Sequence, residues 1–180
     1  QFLTNTHVVA RLNADGSVDT SFSVAPANGG SDSPIALQPD GKIVAGIGTK
    51  WLTRLNSNGS IDSAFYNNEG TGFDDWTNCA VLQPDGKIIA IGEFTSFDGH
   101  VCNYIARINA DGTYDTTFNT GTGFDFWGAD AIAIQPDGKI IVGGDFQQFN
   151  GNVERRIIRL NSDGSKAVSY THLTLPTTSR

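Results

Sequence analysis

The string Leu-Gln-Pro-Asp-Gly-Lys-Ile at residues 37–43 recurs unchanged at residues 82–88 and again, with Ile in first place, at residues 134–140. A second string alternates with it and reads Arg, Leu or Ile, Asn, Ala or Ser, Asp or Asn, and Gly. Its four copies begin at Arg11, Arg54, Arg107 and Arg159. Successive copies lie 43, 53 and 52 residues apart. Two strings that recur in a fixed order indicate an array of one structural unit.

The first string predicts a tight β-hairpin. Proline presets φ for the first turn position, Asp bonds its own backbone, and Gly adopts the left-handed conformation without a Cβ clash. In the unit from residue 128 to residue 164, this turn joins the apolar segments 129–135 and 140–146. The second string predicts another reversal, into a fourth strand such as residues 113–118. Each unit therefore contains four short strands.

Four strands with a period near 50 residues are typical of one β-propeller blade. We predict an all-β fold, a partial β-propeller of four-stranded antiparallel blades with about three to three and a half repeats. The array is expected over residues 1–165, as a fragment of one domain, with innermost strands at residues 35–37, 80–82 and 132–134. Glycines in the second strands indicate close backbone approach between neighbouring blades or a bulge. The phenylalanines expected to bury between blades are Phe22, Phe65, Phe94, Phe118 and Phe146.

The composition excludes several functional classes. The formal net charge is −7 and the pI is about 4.7, so a phosphate backbone would be repelled and we expect no nucleic-acid partner. No apolar run approaches the ~20 residues that span a bilayer, so membrane insertion is not expected. Cys79 and Cys102 lack the spacing of a zinc site. A disulfide between them and two free thiols stay open as alternatives.

The second string has two structural interpretations. Its arginine and a later aspartate would lie on paired strands, which favours ion pairs over an anion-binding ring of arginines. The expected pairs are Arg11–Asp19, Arg54–Asp62 and Arg107–Asp115. The alternate side-chain oxygens of residues 13–19 imitate the start of a calcium loop, but the closing glutamate is absent. We therefore expect turn and cap hydrogen bonds, and no metal.

Function is expected where the units differ. Phe-Asp-Asp-Trp at residues 73–76 and Phe-Asp-Phe-Trp at residues 124–127 precede first strands, and Phe-Asp-Gly-His at residues 97–100 joins a second strand to a third. In an antiparallel blade these connections emerge on one face, while the opposite turns are nearly uniform. The candidate ligand-binding residues, which could stack on and hydrogen-bond a sugar or a peptide, are Asp75, Trp76, His100, Asp125 and Trp127. The alternative is that both tryptophans fill gaps between blades.

Catalysis has little support in the sequence. The three histidines are scattered and unrepeated, and no nucleophile-elbow, zinc-protease or phosphate-loop string occurs. We assign no catalytic residue, no metal ligand and no cofactor. A propeller enzyme that draws single ligands from blades outside this chain stays open as an alternative.

The repeated strings resemble a known family. Arg-Leu-Asn-x-Asp-Gly-Ser-x-Asp-x-x-Phe, then Gly-Thr-Gly-Phe-Asp, then Gln-Pro-Asp-Gly-Lys-Ile-x-x-Gly-Gly-x-Phe, over residues 8–165, resemble the delta-sixty repeat. This bacterial β-propeller repeat of large secreted and cell-surface proteins implies blades of a multi-bladed ring, an extracellular or cell-surface location and no established catalytic residues.

We therefore predict a non-enzymatic scaffold or binding module. Its expected partners are other blades of the same propeller and a glycan or protein ligand. The alternative is a carbohydrate-active or other hydrolytic or lyase propeller enzyme whose catalytic blades are missing from this fragment.

The last stretch breaks the pattern. The earlier units predict Asp at position 167 and Phe at position 170, where the chain has Ala167 and Tyr170. Residues 168–177 resemble the conceptual translation of a transposase adapter used in sequencing libraries. We expect residues 166–180 to be a non-repeat, artefactual and disordered tail, with a genuine divergent terminus as the alternative.

Overall fold

The computed structural model describes residues 9–24, 34–125 and 128–167. In these ranges the chain is almost entirely β, with one six-residue helix. The elements are β1 (Ile35–Leu37), β2 (Ile43–Ala45), β3 (Thr53–Leu55), α1 (Ser63–Asn68), β4 (Thr77–Leu82), β5 (Ile88–Gly92), β6 (Ser96–Phe97), β7 (His100–Val101), β8 (Ile105–Ile108), β9 (Ala131–Ile134), β10 (Ile140–Gly143), β11 (Gln148–Phe149), β12 (Asn152–Val153) and β13 (Ile157–Leu160).

Three antiparallel sheets repeat along the chain, with strand orders β1-β2-β3, β4-β5-β8 and β9-β10-β13. We call them blades one, two and three. Two small hairpins, β6-β7 and β11-β12, join the second strand to the third in blades two and three. The first strands of successive blades contact each other, β1 with β4 and β4 with β9. This arrangement confirms the predicted partial β-propeller, with the first strands innermost.

The Gln-Pro-Asp-Gly-Lys turns have the predicted hairpin geometry. In blade one, Gln38 N–H donates to the Lys42 carbonyl at 2.8 Å and Gly41 N–H donates to the Gln38 carbonyl at 2.9 Å. Gly41 has φ of 82°, a left-handed conformation that side chains rarely adopt. The same hydrogen bonds recur in the other two blades.

The fourth strand is shorter than the sequence predicts. It is reduced to single bridges, which are Leu55 with Ile61, Ile108 with Tyr114 and Leu160 with Lys166. The strand predicted over residues 113–118 is therefore wrong beyond Tyr114. Asp115 Oδ1 accepts both the N–H and the hydroxyl of Thr117, at 2.9 and 2.6 Å, and Phe118 N–H donates to the Asp115 carbonyl at 3.2 Å. These local bonds turn the chain out of the sheet.

The recurrent phenylalanines bury at the blade junctions, as predicted. A Cβ added to Gly112, in the second string of blade two, would lie 2.7 Å from the Phe65 carbonyl oxygen and 3.1 Å from its ring. Gly164 meets Phe118 in the same way, at 2.9 Å. Phe65 and Phe118 therefore each pack on the turn glycine of the following blade, where a side chain would not fit.

Arg54 and Arg107 of the second string each link their blade to the next. Arg54 pairs with Asp62 at 2.8 Å, lies 4.4 Å above the Phe65 ring, and donates from Nη1 to the Ala110 carbonyl at 2.6 Å. Arg107 makes the equivalent contacts, with Asp115 at 2.7 Å and the Ser162 carbonyl at 2.5 Å. We call this set of contacts the arginine latch. It confirms the predicted ion pairs and adds an inter-blade hydrogen bond that the sequence did not indicate.

The glycines of the second strands approach backbone, but within their own blade. A Cβ on Gly92 would lie 2.1 Å from the carbonyl oxygen of Trp76, which precedes β4, and one on Gly144 would lie 2.3 Å from the Gly128 carbonyl oxygen. Gly46 alone of these also approaches the next blade, at Thr77. The predicted approach between neighbouring blades is therefore wrong for Gly92 and Gly144, which instead meet the chain at the start of the first strand of their own sheet.

The repeat geometry continues past residue 165. Lys166 bridges to Leu160, and Ala167 N–H donates to the Arg159 carbonyl at 2.9 Å, as Asp115 N–H does to Arg107. Residues 168–180, which carry the adapter-like string, lie outside the described residues. Cys79 and Cys102 are free thiols. No helix in the described ranges is long and apolar enough to cross a membrane.

Candidate functional site

The two variable connections of blades two and three meet on one side of the molecule. Phe73, in the connection that precedes β4, bridges to Phe97 of β6, and Phe124 bridges to Phe149 of β11 in the same way. The connections therefore form one surface, as predicted. We call it the loop face.

An aspartate fixes each pair of connections. Asp74 Oδ1 accepts the N–H groups of Thr95 and Ser96, both at 2.9 Å, and Asp125 Oδ1 accepts those of Gln147 and Gln148, both at 2.8 Å. Burial raises the pKa of Asp74, but the bonds from Thr95 and Ser96 outweigh it and leave the pKa below its usual value. Asp125 is thus the counterpart of Asp74. The sequence predicts it as a ligand contact, and in the structure its Oδ1 holds a loop. The repeated Gly-Phe-Asp string was the available signal for this structural position.

A tryptophan pair lies at the junction of blades one and two. Trp76 is 48% exposed, and its ring centroid is 5.7 Å from that of Trp51 at an interplanar angle of 47°. Trp51 is half-buried, and its carbonyl accepts the hydroxyl of Thr77. Asp75 is exposed and accepts the Trp76 N–H at 2.9 Å. Trp51 was missed by the sequence analysis, because residues 25 apart in different blades share no local pattern.

The other two predicted residues are placed differently. His100 is exposed on β7, and its ring stacks on Tyr114 with centroids 4.7 Å apart and planes 8° apart. The His100 ring therefore contacts Tyr114, which forms the fourth-strand bridge of blade two, whereas the Trp76 ring contacts Trp51. Trp127 lies outside the described residues.

One buried carboxyl belongs to the connection that leads to Trp76. The side chain of Glu69 is fully buried, and neither carboxyl oxygen has a hydrogen-bond partner. Burial raises its pKa to about 8, against the smaller opposing effect of the charges on Lys50 and Arg54. Phe73 N–H donates to the Lys50 carbonyl at 3.1 Å, so this connection runs beside the residue that precedes Trp51. A carboxyl that is mostly neutral at pH 7 therefore lies in the connection that supports the tryptophan pair.

The loop face offers binding chemistry. Exposed indole surface beside the carboxylate of Asp75 can stack on a flat apolar face and accept hydrogen bonds. In the described ranges, no group of three or more His, Cys, Asp or Glu side chains could hold a metal ion. Cys102 is buried, and burial raises the pKa of its thiol to about 12, so it is a poor nucleophile.

Short antiparallel sheets stacked through their first strands, with one uniform and one variable face, define a β-propeller repeat protein. Comparison with known families agrees with this class. The family described as a domain of unknown function (DUF5122) β-propeller matches residues 4–22, 38–65, 83–118 and 135–166, more than half of the chain. The chain belongs to this family. Among curated proteins no significant match was found.

Proposed function

We propose that this chain is a non-enzymatic binding module of the delta-sixty type, from a bacterial secreted or cell-surface protein, and that it binds a glycan or peptide on its loop face. The observation that carries the proposal is the half-exposed Trp76, paired with Trp51 across the first blade junction. A tilted aromatic pair beside a carboxylate suits a ligand with an apolar face and hydroxyl or amide groups. Asp75, His100, Asp125 and Trp127 remain the other proposed contacts.

Other blades of the same propeller are the second proposed partner. Ile141, Ile157 and Arg159 line a groove of about 290 Å³ on the outer side of blade three. Their equivalents in blade two are Ile89, Ile105 and Arg107, and the two isoleucines are fully buried there against blade three. A further blade would cover this groove in the same manner.

The binding proposal is tested by screening the protein on glycan and peptide arrays and titrating the hits by tryptophan fluorescence. Trp76→Ala should abolish binding while changing the melting temperature little, because half of the ring is in solvent. Val101→Ala, at an exposed site on β7, is the matched control and should bind normally. Loss of stability without loss of affinity in Trp76→Ala would favour a gap-filling role. Turnover of a bound glycan would replace the proposal by the enzyme alternative.

The tail at residues 166–180 is proposed to derive from a sequencing adapter. The support is the adapter-like string at residues 168–177, and the chain already departs from the repeat at Ala167, where the earlier units have Asp. Amplifying the parent gene from its source and reading across codon 167 tests this directly. A repeat-like continuation with Asp and Phe in place would support the proposal, and recovery of the same tail would refute it.

A further inference from the structure

Two Asn-Gly pairs lie in the described ranges, and each stands where other copies of the repeat have Asp-Gly. Asn150-Gly151 of blade three corresponds to Asp98-Gly99 of blade two. Asn58-Gly59 corresponds to Asp15-Gly16, Asp111-Gly112 and Asp163-Gly164. A third pair, at residues 28–29, lies outside the described residues. Loss of the side-chain amide would therefore convert Asn58 or Asn150 into the residue that the repeat has elsewhere.

Deamidation of an Asn-Gly pair needs only water. The glycine backbone nitrogen loses its proton to solvent and attacks the asparagine Cγ. The Cγ–Nδ2 bond then breaks, and ammonia leaves with a proton taken from solvent. The resulting succinimide takes up one water molecule and opens to aspartate or isoaspartate, so that an amide becomes a carboxylate and nothing is oxidised. Glycine favours the attack because it has no Cβ to hinder its nitrogen.

The nitrogen is free in Asn150-Gly151. These two residues form the exposed tip of the β11-β12 hairpin, with φ of 50° and 71° between the paired residues Phe149 and Asn152. A Cβ added to Gly151 would meet nothing within 4 Å. No group in the part of the chain that the structure describes accepts the Gly151 N–H. The peptide between Asn150 and Gly151 can therefore rotate toward the side chain without breaking a packed contact.

The nitrogen is held in Asn58-Gly59. Gly59 is buried, and its N–H donates to the Asn56 carbonyl at 2.9 Å. A Cβ on Gly59 would lie 2.7 Å from the Ser23 carbonyl oxygen. The Asn58 carbonyl also accepts the Ser23 N–H at 3.1 Å. This turn must open before the succinimide can close, so the same dipeptide is protected here.

Blade two shows that a carboxylate fits at the hairpin tip. Asp98 has φ of 45°, close to the 50° of Asn150. Its Oδ1 accepts the Thr71 N–H at 3.0 Å, as the Oδ1 of Asn150 accepts the Thr122 N–H at 3.2 Å. This contact uses the side-chain oxygen, so it is retained when the amide nitrogen is lost.

We propose that Asn150 is a self-modification site, at which the folded chain loses ammonia and gains a carboxylate through a succinimide closed by Gly151. Water is the co-reactant. The aspartate form keeps the contact with Thr122, and the loop face gains one negative charge at the hairpin tip of blade three. Asn58 keeps its amide while its turn stays closed. The inference does not depend on the proposed ligand.

The test incubates the full chain in mildly alkaline buffer, digests it at low pH and locates the mass gain of deamidation by peptide mass spectrometry. Conversion at Asn150 should be at least about tenfold faster than at Asn58, because the Asn58 turn must open first. The same incubation in urea is the control. It should bring the two rates within about twofold of each other, because neither turn is then folded.

Two variants test the chemistry and the product. Gly151→Ala should slow conversion at Asn150 about tenfold, because a Cβ hinders the nitrogen, and should leave Asn58 unchanged. Asn150→Asp should leave the melting temperature unchanged, because Asp98 makes the same contact in blade two. Equal rates at Asn58 and Asn150 in the folded chain would overturn the proposal. So would an intact Asn150 in the folded chain under conditions that convert it in urea, or a marked loss of stability in Asn150→Asp.

Discussion

Glu69 and Thr120 occupy the same position in successive blade connections. The carbonyl of each accepts the N–H of the glycine three residues further on, Gly72 at 2.9 Å and Gly123 at 3.0 Å. The connection that leads to the tryptophan pair therefore carries a buried carboxyl where the next one has a small hydroxyl. This difference makes the stability of the first junction depend on pH.

The first prediction concerns that dependence. The pKa of Glu69 rises from 4.5 to about 8 on folding, so between these values the folded chain holds a proton that the unfolded chain releases. Stability should be highest below pH 4.5 as far as Glu69 is concerned, should fall as the pH rises from there through about 8, and should level off above it. The total loss should be on the order of 5 kcal/mol. Urea unfolding at pH 5, 7 and 9 measures it.

Two variants isolate the contribution of Glu69. Glu69→Gln removes the titration and keeps the shape, and Glu69→Thr copies the next connection. Both should flatten the fall in stability between pH 4.5 and about 8. An unchanged slope in both would show that the carboxyl is ionised in the folded chain.

The arginine latch should matter most where it is buried. The side chain of Arg107 is 8% exposed and that of Arg11 is 41% exposed, although both pair with an aspartate and donate to a carbonyl of the next blade. Arg107→Lys should cost about 2–4 kcal/mol, because lysine cannot bond the aspartate and the next blade together and leaves buried partners unsatisfied. Arg11→Lys is the matched control and should cost about 0–1 kcal/mol. Equal losses in urea unfolding would contradict the inter-blade role.

Two glycines that look alike in sequence should tolerate alanine differently. A Cβ on Gly92 meets the Trp76 carbonyl oxygen at 2.1 Å, whereas one on Gly143 has only the Arg156 carbonyl oxygen at 3.6 Å. Gly92→Ala should therefore destabilise by about 2 kcal/mol or more, since the overlap is with backbone. Gly143→Ala should be nearly neutral. Thermal unfolding of both variants measures the difference. A neutral Gly92→Ala would mean that β4 and β5 are further apart than described.

The last prediction restores a residue that the repeat expects. Ala167→Asp would place a carboxylate where Asp62 and Asp115 stand in the other blades, and Lys139 should leave Asp137 for it. The expected gain is about 1 kcal/mol, because the new pair is less exposed than the old one. Ala167→Asn is the control and should gain less. High salt should reduce the gain of the aspartate, and a gain that is independent of salt would argue against a charge effect.

The repeat strings were sufficient to predict the fold, the hairpins, the ion pairs and the buried phenylalanines. Each of these depends on local turn chemistry or on one residue recurring at one position, as with Arg107 and Asp115. The fourth strand was overestimated, because Asp115 bonds the backbone two residues on and ends the pairing. Strand-like residues after Tyr114 gave no sign of that turn.

The candidate site was harder to predict. The tryptophan pair joins Trp51 and Trp76 from different blades, and only the packing of the sheets reveals it. Asp125 was chosen for its polarity beside an aromatic string, yet its carboxylate holds the backbone of the neighbouring hairpin. Burial of Glu69 could not be foreseen either, because its string is otherwise that of an exposed glycine-rich connection.

The arginine latch gives the array a direction. Arg11, Arg54 and Arg107 donate forward to the turn of the following blade, so donor and acceptor lie about one repeat apart. Duplication of one whole repeat during evolution adds a donor and an acceptor together and leaves no contact unsatisfied. Duplication of half a repeat would separate the arginine from its acceptor. Genes that encode such arrays should therefore gain and lose whole repeats. The recombination points can fall anywhere within a repeat.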